Sequence, residues 1–183
     1  MTLHRLLPLE PPYPADVEAA LDRYPKRDGY LLSLFRVFAN SPRFLRKGTA
    51  NLLDRDSPLP MRERELVILR VCARRNCEYE WGVHVGAFAD HVGFTTEQIE
   101  ATRLGTADAA CWTAREQTLL QVGDQLCRDG TLAGDTRNRF QATWPVDAQL
   151  EILALAGNYQ TISFVANVAA LPPEPFAARF PGP

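Results

Sequence analysis

A chain of 183 residues, 46% hydrophobic and 23% charged, reads as one domain of ordinary size that buries roughly 70% of its unfolded surface and needs no disulfide or structural metal to hold a core. Its 20 basic and 22 acidic residues nearly cancel and form no run of five like charges, which excludes the electrostatic footprint of a nucleic-acid or anionic-membrane binder and points to a small-molecule or protein partner. Four cysteines (Cys72, Cys77, Cys111, Cys127) without Cys-x-x-Cys spacing, a short proline-interrupted N-terminal apolar stretch, and no window near 18 continuous apolar residues predict a cytoplasmic protein with reduced thiols and no membrane span.

In chain order, helical periodicity dominates and no convincing strand is read. An N-terminal arm over 1–12 precedes a helical domain over 13–171. Val17, Ala20, Leu21 and Tyr24 recur at i, i+3, i+4 and i+7, with Pro14 suited to the first helical position and Pro25 at the exit. A second apolar segment spans Tyr30 to Phe38. A third helix opens at Ser41-Pro42, an N-cap followed by proline, and runs towards Asp54, making a hairpin with the second.

From Pro60, the residues Leu66, Val67, Leu69, Val71 and Cys72 form a broad apolar face bordered by Arg62, Arg64, Arg70 and Arg74, and this helix ends at Arg75-Asn76. The next runs from about Cys77 to Val92 and stops at Gly93. Thr95-x-x-Gln98 and Thr113-x-x-Glu116 are capping-box patterns that open two further helices, the second ending at Gly130. A helix over 135–143 follows. The last begins near Asp147 and reaches about Ala170, before Pro172-Pro173. Its stretch from Leu150 to Leu171 is expected to be a buried helix. The tail over 172–183 is rich in proline and carries two phenylalanines; an extended arm packed on this or a neighbouring subunit and a disordered end are both open. Glu65 to Leu69 faintly echoes Gln149 to Leu153.

Polar chemistry concentrates in Asn76-Cys77-Glu78-Tyr79-Glu80-Trp81-Gly82-Val83-His84. Cys77, Glu80 and His84 stand at i, i+3 and i+7, one row on a helix, with Trp81 beside them and Phe88 and His91 continuing the stripe. A carboxylate and an imidazole are costly to bury unless each finds a partner, so this row marks a polar pocket. In a tight antiparallel hairpin turning at Asn76, Glu65 and His84 lie roughly 16 Å and 12 Å down their helices, within one turn of each other. Glu65 therefore faces His84, directly or through a water. Ile68 and Leu69 floor the pocket, and Trp81 walls it.

Glu65, Cys77, Glu80 and His84, set in RERELVILRV and NCEYEWGVH, resemble the carboxymuconolactone decarboxylase and AhpD-like alkylhydroperoxidase superfamily, most strongly over residues 60–95. The resemblance implies an all-α, AhpD-like helical bundle whose site sits on an antiparallel helical hairpin. It also implies a homo-oligomer, a trimer or a hexamer built from trimers. The peroxidase branch carries a Glu, a Cys-x-x-Cys and a His four residues after the second cysteine. Glu65, Cys77 and His84 match it, while Glu80 stands where the peroxide-attacking cysteine would be. The decarboxylase branch carries a carboxylate four residues before the histidine, as Glu80 and His84 stand here.

The decarboxylase resemblance implies acid/base chemistry on a small organic acid or lactone, with His84 as general acid, Glu65 or Glu80 tuning it, and Tyr79 or an arginine stabilising the enolate. No cofactor or metal is required. A thiol peroxidase using Cys77 alone is the alternative enzyme, and a non-catalytic oligomeric binding module is the alternative outside enzymes. Among the other candidates, Cys72 is expected to be packing, Cys111 to lie in a loop and Cys127 near a helix end. His91 is read as a surface residue and His4 as part of a disordered arm.

Overall fold

The computed structural model describes residues 5–182, and His4 lies outside them. The chain runs through α1 (Ala15–Leu21), the short strands β1 (Lys26–Arg27) and β2 (Tyr30–Leu31), α2 (Ser33–Phe38), α3 (Pro42–Lys47), α4 (Met61–Arg74), α5 (Glu78–Phe88), α6 (Thr96–Arg103), α7 (Ala114–Asp129), α8 (Gly134–Thr143) and α9 (Val146–Val168). The fold is all-α apart from the two-residue strands, as the periodicity predicts.

The ribbon is the departure. Asp28 and Gly29 both take positive φ, 50° and 80°, the twist of a two-residue hairpin turn, and they pair Lys26 with Leu31 and Arg27 with Tyr30. The apolar segment expected from Tyr30 is therefore strand first and helix only from Ser33. Pro14 caps α1 rather than filling its first turn, and α1 ends at Leu21, before Tyr24. Ser41 does cap α3, its hydroxyl accepting from the Phe44 amide at 3.2 Å, with Pro42 at the first position. That helix stops at Lys47 instead of near Asp54. Arg64 reaches into the irregular segment that follows and donates to the carbonyl of Asp54 at 2.8 Å.

Packing is centred on α4, which touches α5, α6, α7 and α9. Every residue from Arg64 to Ala73 is buried as a result. Arg70 is therefore no bordering side chain: it is 1% exposed. Its guanidinium grips Asp124 of α7 through two bonds of 2.6 and 2.8 Å and donates to the carbonyls of Thr102 and Gly105, both at 3.0 Å. A buried cation is tolerable only when its donors are met in this way.

The α4–α5 hairpin turns at Asn76, φ 52°, and closes with the Cys77 amide on the Cys72 carbonyl at 2.9 Å. α5 ends at Phe88, short of the expected Val92; residues 89–92 continue as turns to Gly93. Both capping boxes form, at Thr95 with Gln98 and at Thr113 with Glu116, and Gly130 ends α7 in the left-handed conformation. Pro145, not Asp147, occupies the N-cap of α9.

Two features of the C-terminal part differ from expectation or decide between alternatives. α9 is buried on one side only, with Val146, Leu150, Leu153, Phe164 and Val168 exposed, because the remaining helices cover a single face of it. The echo between α4 and α9 is thus one of spelling: Leu66 and Leu69 are buried, whereas Leu150 and Leu153 are exposed. The tail packs as an extended strap on the same chain. The Ala178 amide donates to the Gly82 carbonyl at 3.0 Å, and a side chain at Gly82 or Gly86 would collide with the carbonyls of Ala178 and Phe176. Among the described residues, no helix is long and apolar enough to cross a membrane.

Candidate active site

Facing helices bring the polar row of α5 onto α4 and α9. His84 donates or accepts through both ring nitrogens: Nδ1 lies 2.7 Å from Glu65 Oε2, and Nε2 lies 2.9 Å from the Tyr159 hydroxyl. Glu80 Oε2 approaches Nε2 at 3.8 Å, the i, i+4 neighbour on the same helix. The Phe88 ring packs 5.4 Å from the imidazole, and the Tyr159 ring meets it edge-on at 5.1 Å. Glu65, Glu80 and His84 are only 3%, 4% and 5% exposed, so the cluster is enclosed by its own helices.

Enclosure sets the proton affinities. Burial pushes the Glu80 carboxyl up to about 7, with the Glu174 and Glu65 charges adding to the effect and His84 opposing it. Burial works against a charged imidazole, yet the charge and hydrogen bond of Glu65 and the charge of Glu80 hold the His84 pKa above its ordinary value. Desolvation, together with the charges of Glu80 and Glu65, raises the Tyr159 hydroxyl well above its usual range, so it keeps its proton. Glu80 Oε1 is buried without any partner. A buried polar atom left unpaired is rare and costly.

The thiols are placed differently. Cys77 is the N-cap of α5, fully buried, and desolvation raises its pKa to about 11 despite amide donors from the helix start. Cys72 lies beside it, also buried, with its sulfur 3.9 Å from the Ser163 hydroxyl. Neither is poised as a thiolate.

Two expected pocket residues, Tyr79 and Trp81, make their polar contacts elsewhere. The Tyr79 hydroxyl donates to Glu174 at 2.5 Å and accepts from the Leu34 amide at 3.2 Å, so it anchors the tail and does not face His84. The Trp81 indole donates to Thr102 at 2.8 Å and packs against Phe180, making a wall towards α6 and the strap. Ile68 and Leu69 are buried in the core of α4. Tyr159 and Glu174 were not anticipated from the sequence. The only trace of Tyr159 is a polar-tipped aromatic in register with Ile152, Leu155, Ala156 and Ile162 on the inward face of α9. Among the described residues no group of three or more His, Cys, Asp or Glu side chains is arranged to hold a metal ion.

With this geometry in place, comparison with known proteins gives a family match over part of the chain. The carboxymuconolactone decarboxylase family profile matches residues 42–125, the span that contains Glu65, Cys77, Glu80 and His84. Over this segment, a little under half of its length, the chain is similar to that family. Two solved structures share the fold over nearly the whole chain. An uncharacterized peroxidase-related protein from Silicibacter sp. TM1040 aligns with a TM-score of 0.78 at 18% identity, covering 99% of each chain. An uncharacterized peroxidase-related protein from Ralstonia eutropha JMP134, described as an alkylhydroperoxidase AhpD core, aligns with a TM-score of 0.73 at 17% identity over 94% of this chain and 95% of its own. No curated protein matches the sequence. Within the matched segment a carboxylate on α4 is set against an imidazole on α5, and Tyr159 of α9, outside that segment, closes the site.

Proposed function

We propose that the Glu65–His84–Glu80 cluster is a proton-transfer centre acting on a small organic acid or conjugated lactone, in a decarboxylation or related lyase or isomerase reaction. The observation that carries this reading is the unpaired Oε1 of Glu80 on a carboxyl whose pKa stands at about 7. A group that holds and releases its proton near neutrality is matched to acid/base work. In a decarboxylation, the carbon–carboxylate bond breaks, its electron pair enters the conjugated carbonyl, carbon dioxide leaves, and one proton returns to the carbon. Glu80 would deliver that proton through Oε1, while Glu65 keeps His84 charged beside it and Tyr159 fixes the ring. The reading takes a small-molecule substrate, no cofactor and a homo-oligomer in the cytoplasm. Because the three groups are enclosed, substrate reaches them by local opening of the helices.

The test is carbon dioxide release from carboxymuconolactone and a panel of conjugated lactone and keto acids. Turnover in the wild type should fall by about 100-fold or more in Glu80→Gln and in His84→Gln. Turnover that survives both substitutions would remove the proposal.

A second reading, thiol peroxidase activity through Cys77, is favoured by the peroxidase-related description of both structural neighbours. Its burial and raised pKa weigh against it. Reduction of an organic hydroperoxide by dithiothreitol, present in the wild type and lost in Cys77→Ser, would move the function there. Inactivity in both assays would favour a non-catalytic binding module.

A further inference from the structure

α9 is apolar on two opposite faces, but the chain covers only one of them. Ile152, Leu155, Tyr159 and Ile162 look inward. On the other side, Val146, Leu150, Leu153, Phe164 and Val168 are 71%, 63%, 39%, 54% and 74% exposed. At 100° per residue these five, with Gly157 and Thr161, fall within an arc of about 80° along roughly 33 Å of helix. An all-round apolar helix is a buried helix, so this face has an occupant outside the chain.

The spacing of the stripe says what that occupant is. Reversed end for end about Gly157, the pattern reproduces itself: Val146 falls on Val168, Leu150 on Phe164, Leu153 on Thr161, and Gly157 on itself. Self-complementarity under a two-fold axis is the signature of an isologous contact between identical chains. Gly157 supplies an independent sign. It is exposed in mid-helix, where glycine costs about 1 kcal/mol relative to alanine, and a side chain there would meet nothing in its own chain within 4 Å. Its absence of a side chain serves an approach from outside.

Charge sets the direction. The only charged residues of α9 are Asp147 and Glu151, both near its start. An antiparallel pairing lays them against the uncharged C-terminal half of the partner helix, whereas a parallel pairing would oppose each to its own copy. The five exposed side chains present on the order of 500 Å² per chain, so a two-fold pairing buries about 1,000 Å² before flanking contacts are counted, close to the roughly 1,200–2,000 Å² of a stable interface.

We infer that α9 packs antiparallel against α9 of a second copy of this chain, crossing at Gly157 on a two-fold axis. The assembly therefore contains an even number of chains. Its test reads mass and proximity, not activity, and so is independent of the chemistry at His84. Light scattering on the intact protein should give a dimer or a larger even-numbered assembly, and Phe164→Glu, a change at a position exposed within the chain, should halve the mass while helical circular dichroism is retained. Mild oxidation should cross-link Gly157→Cys to its own copy beyond any wild-type background. Should the new side chain itself part the helices, Val146→Cys combined with Val168→Cys should cross-link where neither substitution does alone. A monomeric or trimeric wild type, an unchanged mass in Phe164→Glu, or absence of both cross-links would overturn the inference.

Discussion

Glu80 makes the fold sensitive to pH in a direction that can be worked out. Its carboxyl has an ordinary pKa of 4.5 and one of about 7 in the folded chain. Below pH 4.5 both states hold the proton; between the two values the unfolded chain sheds it and the folded chain keeps it, so folding loses ground as pH rises through this window and loses no more above it. The difference is worth on the order of 3 kcal/mol. His84, whose pKa is raised from 6.5, acts in the same sense: its contribution is full below 6.5 and is lost as pH rises through the folded value. Urea unfolding should therefore show a stability lower at pH 8 than at pH 5 by a few kcal/mol, and Glu80→Gln should flatten the profile and exceed the wild type at pH 8. Parallel profiles for the two proteins would show that Glu80 is not protonated by the fold. The members of this cluster on α5 were legible because the helical period alone puts Cys77, Glu80 and His84 in one row, and Glu65 followed from the hairpin. Tyr159 was not, since nothing local ties it to a histidine 75 residues away.

Elements defined by their own neighbours were the readable ones. Ser41, Thr95 and Thr113 each bond an amide three residues on, an interaction complete within one turn, and all three mark true helix starts. Elements whose boundaries depend on distant contacts were misjudged. Arg70 looked like a solvent border because Asp124, its partner, lies 54 residues away, and the strand preceding α2 depends on a turn at Asp28-Gly29 whose φ angles no apolar period reports. α5 shows the same limit in its glycines. Gly82 and Gly86 leave the face opposite His84 bare, so that the strap can lie against the helix backbone. Gly82→Ala would gain roughly 1 kcal/mol of helix propensity yet force the Ala178 carbonyl away. The strap should then lift, and trypsin should cut after Arg179, already exposed, several-fold faster in the variant, as followed by mass spectrometry. An unchanged cleavage rate would mean that the strap does not depend on this close approach.

At the scale of the whole molecule, Glu174 joins parts that the sequence keeps far apart. From the tail it accepts the Ser33 amide at 2.8 Å, the Tyr30 hydroxyl at 2.9 Å and the Tyr79 hydroxyl at 2.5 Å. One buried carboxylate thus ties the ribbon, the start of α2, α5 and the strap together. It also reaches the site electrostatically, since its charge is among those that raise the Glu80 carboxyl. Glu174→Gln keeps the shape but turns an amide towards donors that need an acceptor, which should cost about 2–4 kcal/mol. The damage should be shared by everything the carboxylate holds. Hydrogen exchange should quicken together in peptides covering 30–38 and 172–182 while 114–129 in α7 stays protected, and the fall in stability between pH 5 and pH 8 should shrink as Glu80 moves back towards its ordinary pKa. Faster exchange confined to the tail would show that the strap is merely laid on the bundle; faster exchange in both segments with a smaller pH dependence would show that it is a strut between the N-terminal helices and the Glu65–His84–Glu80 cluster.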